Sequence, residues 1–175
     1  NSKTPTYAAV RLNIDNWRWR GVPFYLRSGK AMKTKVTKIL VEFKSPPHML
    51  FNLQEGDKFA RNVLSLCIQP DEGIHLKFEA KIPGTAQGFR SMDMTFHYKD
   101  SFEEQISDAY ERLILDAIQG DPSLFTRSDE IETAWAIFDP IIAYAEQDSH
   151  PVTYERGTWG PTEASEFLAR DQRRW

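Results

Sequence analysis

The chain has 175 residues, of which 41% are hydrophobic and 27% charged, and its formal net charge is -3. This size and composition predict a folded globular domain with its own core and exclude a low-complexity, disordered chain. No apolar run approaches the ~20 residues that cross a bilayer, so we expect no membrane partner. The single cysteine, Cys67, excludes an internal disulfide and indicates a reducing cytoplasm.

Alternation of apolar and polar residues predicts strands through the first hundred residues. The clearest case is Ile74 to Ile82, where every second side chain is apolar, as in a strand with one buried face. The links are short and polar, so we expect an antiparallel sheet built from hairpins, with helices on one face. The predicted strands are residues 8–14, 22–27, 36–44, 62–69, 74–82 and 92–98.

The period changes to three and four residues beyond Ser101, which predicts helices. The first covers Tyr110 to Ile118 and ends at Gly120, and the second begins at Ser128. Pro140 lies inside the second helix and is expected to kink or split it. A last short helix is predicted over residues 162–170. No internal repeat or break in composition appears, so we expect one domain covering residues 1–175.

A block of cations stands out in this acidic chain, because no carboxylate occurs between Asp15 and Glu42. Such a local excess indicates a site for a small anion. Lys30 and Lys35 fall at the end of one predicted strand and the start of the next, so a hairpin would place both at its tip. The seven cations are Arg18, Arg20, Arg27, Lys30, Lys33, Lys35 and Lys38.

Five segments in this order resemble the C-terminal part of glucose-6-phosphate dehydrogenase. They are TPTYAA at 4–9, WRWRGVPFYLRSGK at 17–30, DAYERLILD at 108–116, RSDE at 127–130 and WGP at 159–161. The resemblance implies an α+β fold: a mostly antiparallel, multi-stranded sheet with helices packed on one face, of the glyceraldehyde-3-phosphate-dehydrogenase-like type. It also implies that the other face of the sheet forms a homodimer or homotetramer, with the choice left open.

The resemblance implies the oxidation of glucose 6-phosphate to 6-phosphogluconolactone with NADP, which opens the oxidative pentose phosphate pathway. The family holds NADP mainly on an N-terminal Rossmann domain, and this sequence contains no G-x-G-x-x-G turn. The family's catalytic His-Asp pair is also missing, and His48, His75, His97 and His150 match none of its catalytic motifs. We therefore expect a partial C-terminal substrate and dimerisation domain, without catalytic residues and inactive alone, whose partners include its own N-terminal domain.

Three residues are the predicted substrate contacts. The resemblance implies that Lys30 and Lys35 bind the sugar phosphate, for which a compact ammonium with three donors is suited. Judged by spacing alone, they would be solvated loop lysines. Gln69 stands before Pro70, where the family places a glutamine near the substrate hydroxyls; as an alternative, its amide ties down its own turn.

A second, structural NADP occurs in some relatives, and the resemblance assigns Arg27, Lys77 and Asp93 to positions of its basic cluster. Val36, Cys67 and His75 stand where those relatives have basic or aromatic residues, so we expect no structural dinucleotide here.

Two other classes of function compete with an enzyme part. One is a non-catalytic module that assembles subunits through its sheet. The other is a nucleic-acid binder that uses the cationic block with Trp17 and Trp19; the negative net charge argues against it, and we expect these indoles to cover other protein surface. No cysteine or histidine spacing predicts zinc and no acidic loop predicts calcium, so no metal is expected.

Overall fold

The computed structural model describes residues 4–46, 60–84, 88–102, 109–147 and 152–175. Within them the chain forms antiparallel sheets and a few helices, which confirms the expected α+β class. The strands are β1 (Tyr7–Asn13), β2 (Pro23–Gly29), β3 (Thr37–Glu42), β4 (Val63–Gln69), β5 (Gly73–Lys81) and β6 (Phe89–His97). The helices are α1 (Tyr98–Ser101), α2 (Ala109–Gln119), α3 (Ser128–Gln147) and α4 (Thr162–Ala169).

The chain divides into two compact units. One comprises Asn1–Thr34 with Asp116–Trp175, and the other comprises Lys35–Leu115. The strands follow this division, since β1 and β2 form one sheet and β3 to β6 form another. The predicted hairpin between β2 and β3 is therefore wrong. Alternation identifies a strand, but the choice of pairing partner depends on contacts that the local pattern does not encode.

The first unit is built on the antiparallel pair of β1 and β2, in which Tyr7 lies opposite Gly29 and Asn13 opposite Pro23. The connecting turn is organised by Asn16, whose side-chain oxygen accepts hydrogen bonds from the backbone N–H groups of Arg18 and Trp19, at 3.1 and 2.8 Å. An asparagine that bonds the backbone two and three residues ahead is a common turn former.

The segment of residues 152–175, which includes α4, packs on this two-stranded sheet. The Phe167 ring meets the Tyr25 ring edge to face at 6.3 Å between centroids. Asp171 accepts hydrogen bonds from Tyr25 and, at 3.0 Å, from Arg11. Ala164 and Leu168, one turn apart on α4, are the buried apolar residues among those described. The small core of this unit thus lies under α4.

The second unit is a four-stranded antiparallel sheet in the order β3-β4-β5-β6. Because side chains alternate along a strand, the register sorts residues by face. One row across the strands is Ile39, Leu66, Ile74 and Phe96, and the adjacent row on the other face is Leu40, Ser65, His75 and Thr95. The predicted alternation is confirmed, and Cys67 shares the more polar face with His75, as expected.

The apolar face of this sheet is not buried by the described residues. Met94 is 61% exposed and Ile39 is 51% exposed, and Ile74, on the expected buried face, is 40% exposed. The alternation correctly assigns the side chains to faces, whereas burial depends on which surface covers the sheet.

The bounds of α2 and α4 agree with the predictions within a residue or two, and α3 begins at the predicted Ser128, whereas the four-residue helix α1 was not predicted. α3 runs without interruption from Ser128 to Gln147 with Pro140 inside it, so the expected split is absent, and the alternative, a kink at Pro140, stays a prediction. An internal proline removes one backbone hydrogen bond, which a long helix can tolerate. None of the described helices has both the length and the apolar character required to cross a membrane.

Candidate functional site

Lys30 follows the last residue of β2, and its backbone is held on both sides. Its N–H donates to the Thr6 carbonyl at 2.8 Å, and its carbonyl accepts from the Tyr154 hydroxyl at 2.7 Å. The side chain is exposed. Lys30 therefore combines a fixed backbone with an ammonium that is accessible to a ligand.

The loop of residues 30–34, here called the Lys30 loop, runs beside residues 157 and 158. The Gly157 N–H donates to the Ala31 carbonyl, and the Lys33 N–H donates to the Thr158 carbonyl, each at 2.9 Å. Ala31 has a φ of 50°, in the left-handed region that costs a non-glycine residue about 1 kcal/mol. These bonds hold the bend that directly follows Lys30.

Tyr7 fills the space behind this loop. Its ring meets the Tyr154 ring at 5.5 Å between centroids, and a Cβ added at Gly29 would lie 2.7 Å from the Tyr7 ring. Burial raises the pKa of the Tyr7 hydroxyl, and the Arg27 guanidinium partly opposes that rise. A glycine is therefore needed at the end of β2, where the backbone lies against an aromatic ring.

Arg27, which the resemblance assigns to the basic cluster of the structural NADP, lies close to two indoles. Its guanidinium carbon is 5.2 Å from the ring centroid of Trp159 and 4.5 Å from that of Trp175. It also donates to the Trp159 carbonyl at 3.5 Å. Cation–π contacts of this kind stabilise the local packing. The guanidinium is thus engaged within its own unit.

Lys35 and Gln69 lie at the same end of the β3–β4 pair. Gln69 is the last residue of β4 and is opposite Thr37, and Lys35 precedes Thr37 by two residues. Both side chains are exposed. The structure therefore brings Lys35 near the end of the strand that carries Gln69, while Lys30 belongs to the other compact unit.

The turn after Gln69 is tied to the end of β6 by Asp71. One carboxylate oxygen of Asp71 is 2.6 Å from Lys99 Nζ, and the other is 3.4 Å from His97 Nδ1. The hydrogen bond from Lys99 holds the pKa of Asp71 below its usual value, and the pKa of Lys99 is raised by the same bond. Both groups are largely solvated, so the pair contributes little to stability.

Lys77 and Asp93, the other two residues that the resemblance assigns to that cluster, are directly opposite each other on β5 and β6. Opposite charges at facing positions of an antiparallel pair attract one another. They share a face with His75 and Cys67, as the register requires. Arg27, in contrast, lies in the other unit.

Trp17 and Trp19, the two indoles of the cationic block, both lie in the turn between β1 and β2. Trp17 is fully exposed at the turn between β1 and β2, whereas the Trp19 ring packs edge to face on Phe24 at 5.3 Å. His48 and His150 lie outside the described residues. In the part of the chain that the structure describes, no group of three His, Cys, Asp or Glu side chains could hold a metal ion.

Sequence reasoning missed the aromatic and hydrogen-bonding residues of the 152–175 segment. Tyr154, Trp159 and Trp175 contact the Lys30 loop or β2 although they are more than a hundred residues away in the sequence. The available signal was the WGP segment at 159–161, since a run of aromatic, glycine and proline marks a special backbone. That segment does not say which strand it contacts.

The antiparallel sheets, the helices and the exposed lysine loop define an α+β domain, and comparisons with known proteins identify its family. The family model for the glucose-6-phosphate dehydrogenase C-terminal domain matches residues 1–175. The chain therefore belongs to this family.

Curated relatives agree with this assignment. Glucose-6-phosphate 1-dehydrogenase 2 of Mycobacterium bovis is 45% identical over 175 residues, covering 100% of this chain and 34% of the relative. Glucose-6-phosphate 1-dehydrogenase of Aggregatibacter actinomycetemcomitans is 44% identical over 174 residues, covering 99% of this chain and 34% of the relative. The chain thus spans about a third of the length of these relatives.

Solved structures share the fold. Glucose-6-phosphate 1-dehydrogenase from Mycobacterium avium matches with a TM-score of 0.81 and 34% identity, over 100% of this chain and 36% of that one. A glucose-6-phosphate dehydrogenase in complex with its substrate glucose-6-phosphate matches with a TM-score of 0.84 and 35% identity, over 99% of this chain and 36% of that one.

Proposed function

We propose that this chain is the C-terminal substrate-binding and assembly section of a cytoplasmic, NADP-dependent glucose-6-phosphate dehydrogenase. In this proposal Lys30 and Lys35 bind the phosphate of glucose 6-phosphate, and Gln69 binds its hydroxyl groups. The observation that carries it is Lys30, whose backbone is fixed by Thr6 and Tyr154 while its ammonium stays accessible. The solved relative in complex with glucose 6-phosphate supports the choice of ligand.

The reacting groups and most of the NADP site are assigned to an upstream Rossmann domain. The nine glycines of this sequence include no G-x-G-x-x-G turn, which the pyrophosphate of a dinucleotide requires. We therefore propose that the 175-residue section alone does not transfer hydride.

We propose that this section binds no structural NADP. The Arg27 guanidinium is held by Trp159 and Trp175, and Lys77 has Asp93 opposite it on the sheet. An arginine held by two indoles and a lysine that faces a carboxylate support this part of the proposal.

The deciding experiment replaces Lys30 by alanine in the full-length enzyme. Loss of a charged hydrogen bond to phosphate should raise KM for glucose 6-phosphate by about ten- to a hundredfold. Lys33→Ala is the matched control, because Lys33 is an exposed lysine of the same loop whose backbone N–H, not its side chain, bonds Thr158. Equal and small changes in both variants would contradict the proposal.

Assembly without substrate binding is the second candidate, favoured by the exposed apolar side chains of the four-stranded sheet. On this hypothesis Lys30→Ala leaves KM unchanged. Leu40 lies on the other face of the sheet, which is expected to form the dimer, and is 55% exposed. Leu40→Lys should instead shift the full-length protein from dimer or tetramer to monomer in sedimentation.

A further inference from the structure

The hydroxyl of Tyr154 makes a direct contact with the backbone of Lys30. It lies 2.7 Å from the Lys30 carbonyl oxygen and 3.0 Å from the Thr6 carbonyl oxygen. A phenol has one hydrogen to donate, and the shorter contact is that to Lys30. The Thr6 carbonyl is also bonded by the Lys30 N–H at 2.8 Å. The Tyr154 hydroxyl, the Lys30 backbone and the Thr6 carbonyl therefore meet where β2 ends.

This arrangement fixes the peptide groups on both sides of the Lys30 Cα. When both are held, the direction in which the side chain leaves the backbone is set, and only the side-chain torsions remain free. The Tyr154 ring is itself held, since it is half-buried and packs edge to face on Tyr7 at 5.5 Å. The hydrogen bond to the Lys30 carbonyl therefore comes from a side chain that is itself restrained.

The conformation of the next residue, Ala31, explains why hydrogen bonds are needed to hold the loop. Ala31 has a φ of 50°, and its carbonyl is held by the Gly157 N–H at 2.9 Å. An isolated loop would leave this left-handed conformation readily, because it is unfavourable for alanine. Tyr154 and Gly157 donate to consecutive carbonyls, at Lys30 and Ala31, and together hold the bend.

We propose that Tyr154 is a positioning residue for sugar-phosphate binding, which rests on the proposed role of Lys30. Its hydroxyl keeps the Lys30 loop in the conformation that presents the ammonium to the phosphate. The tyrosine does not touch the ligand and takes no part in proton or hydride transfer.

The test uses Tyr154→Phe in the full-length enzyme, because phenylalanine keeps the ring that packs on Tyr7 and removes only the hydroxyl. Loss of one hydrogen bond that orders a binding loop should raise KM for glucose 6-phosphate by about three- to tenfold. We expect kcat and the KM for NADP to change by less than about twofold, since neither depends on this loop.

Tyr25→Phe is the matched control. It removes another tyrosine hydroxyl of the same unit, one that bonds Asp171 and not the Lys30 loop. A general loosening of the unit would affect both variants, whereas positioning affects Tyr154→Phe alone. Hydrogen exchange of the peptide covering the Lys30 loop should be faster in Tyr154→Phe and unchanged in Tyr25→Phe.

A double-mutant cycle with Lys30→Ala separates positioning from other effects. If Tyr154 acts through Lys30, Tyr154→Phe should change KM by less than about 1.5-fold when alanine already occupies position 30. An undiminished effect in that background would overturn the proposal, and so would an unchanged KM in the single variant. If Lys30→Ala itself leaves KM unchanged, the proposed function fails as well; if only Tyr154→Phe is without effect, the proposed function stands.

Discussion

The guanidinium of Arg27, in the middle of β2, stacks on the indole of Trp175, with 4.5 Å from Cζ to the ring centroid. Trp175 also donates from Nε1 to the Ala164 carbonyl of α4 at 3.0 Å. One indole thus contacts both a strand of the two-stranded sheet and the helix that covers it. The half-buried indole of Trp175 thus packs beside Ala164, one of the two buried apolar residues described.

Replacing Trp175 by alanine should therefore destabilise the first unit. The variant loses the stacking on Arg27, the hydrogen bond to Ala164 and the apolar contact of the ring, so we expect the free energy of unfolding to fall by about 2 to 3 kcal/mol. Urea unfolding of the full-length protein, followed by tryptophan fluorescence, measures this change. Trp17→Ala is the control, because Trp17 is fully exposed and should change stability by less than about 0.5 kcal/mol. Equal losses in the two variants would contradict the packing role.

Position 160 requires a glycine because the backbone there lies against the ring of Tyr7. A Cβ at this position would lie 2.3 Å from Cε2 of Tyr7, and the backbone has a φ of +105°. Gly160→Ala should therefore lower the free energy of unfolding by about 3 kcal/mol or more, as expected for a steric clash added to backbone strain. Gly157→Ala is the matched comparison, since Gly157 has a φ of +80° and open space around it. Backbone strain alone should lower the free energy of unfolding of Gly157→Ala by about 1 kcal/mol. A smaller loss at Gly160 than at Gly157 would show that the Tyr7 ring moves away easily.

The bond between Asp71 and Lys99 predicts a pH dependence. The pKa of Asp71 is lowered in the folded state by the hydrogen bond from Lys99. A depressed carboxyl pKa means that the pair stabilises the fold above the ordinary pKa of aspartate, about 3.9, and that this contribution is lost as the pH falls through the folded pKa. Because the pair is largely solvated, the effect is small: Asp71→Asn and Lys99→Met should both make the melting temperature fall slightly less steeply below about pH 4.

Asp15→Asn serves as the control for this prediction, because Asp15 pairs with Arg20 at a longer 3.4 Å and both side chains are 83% exposed. The melting temperature of Asp15→Asn should therefore fall with decreasing pH in the same way as that of the unsubstituted protein. If Asp71→Asn also follows that profile, the contact with Lys99 does not persist in solution.

Much of the secondary structure follows from local pattern. The strict alternation from Ile74 onward predicts β5, and the glycine at position 120 predicts the end of α2. These signals are reliable because a strand or a helix end is determined by residues adjacent in sequence. Arg27 and Lys30 of the cationic block were likewise correctly placed, on β2 and directly after it.

Strand pairing did not follow from that pattern. β2 pairs with β1 and β3 pairs with β4, so Lys30 and Lys35 do not share a hairpin. The strand period is the same for every partner, and the energy that selects a partner comes from side chains elsewhere in the fold. For the same reason, the alternation predicted which side chains of β5 share the apolar face, but it could not predict how exposed that face is.

The amino-acid sequence by itself determined the α+β class, the family and the choice of Lys30 as a candidate ligand contact, because these depend on composition, order and short motifs. Only the tertiary structure decided what holds Lys30. Thr6 and Tyr154 bond its two peptide groups, although 124 residues separate Tyr154 from the lysine. Contacts between such distant segments form only when the whole unit folds, and no periodicity within either segment records them.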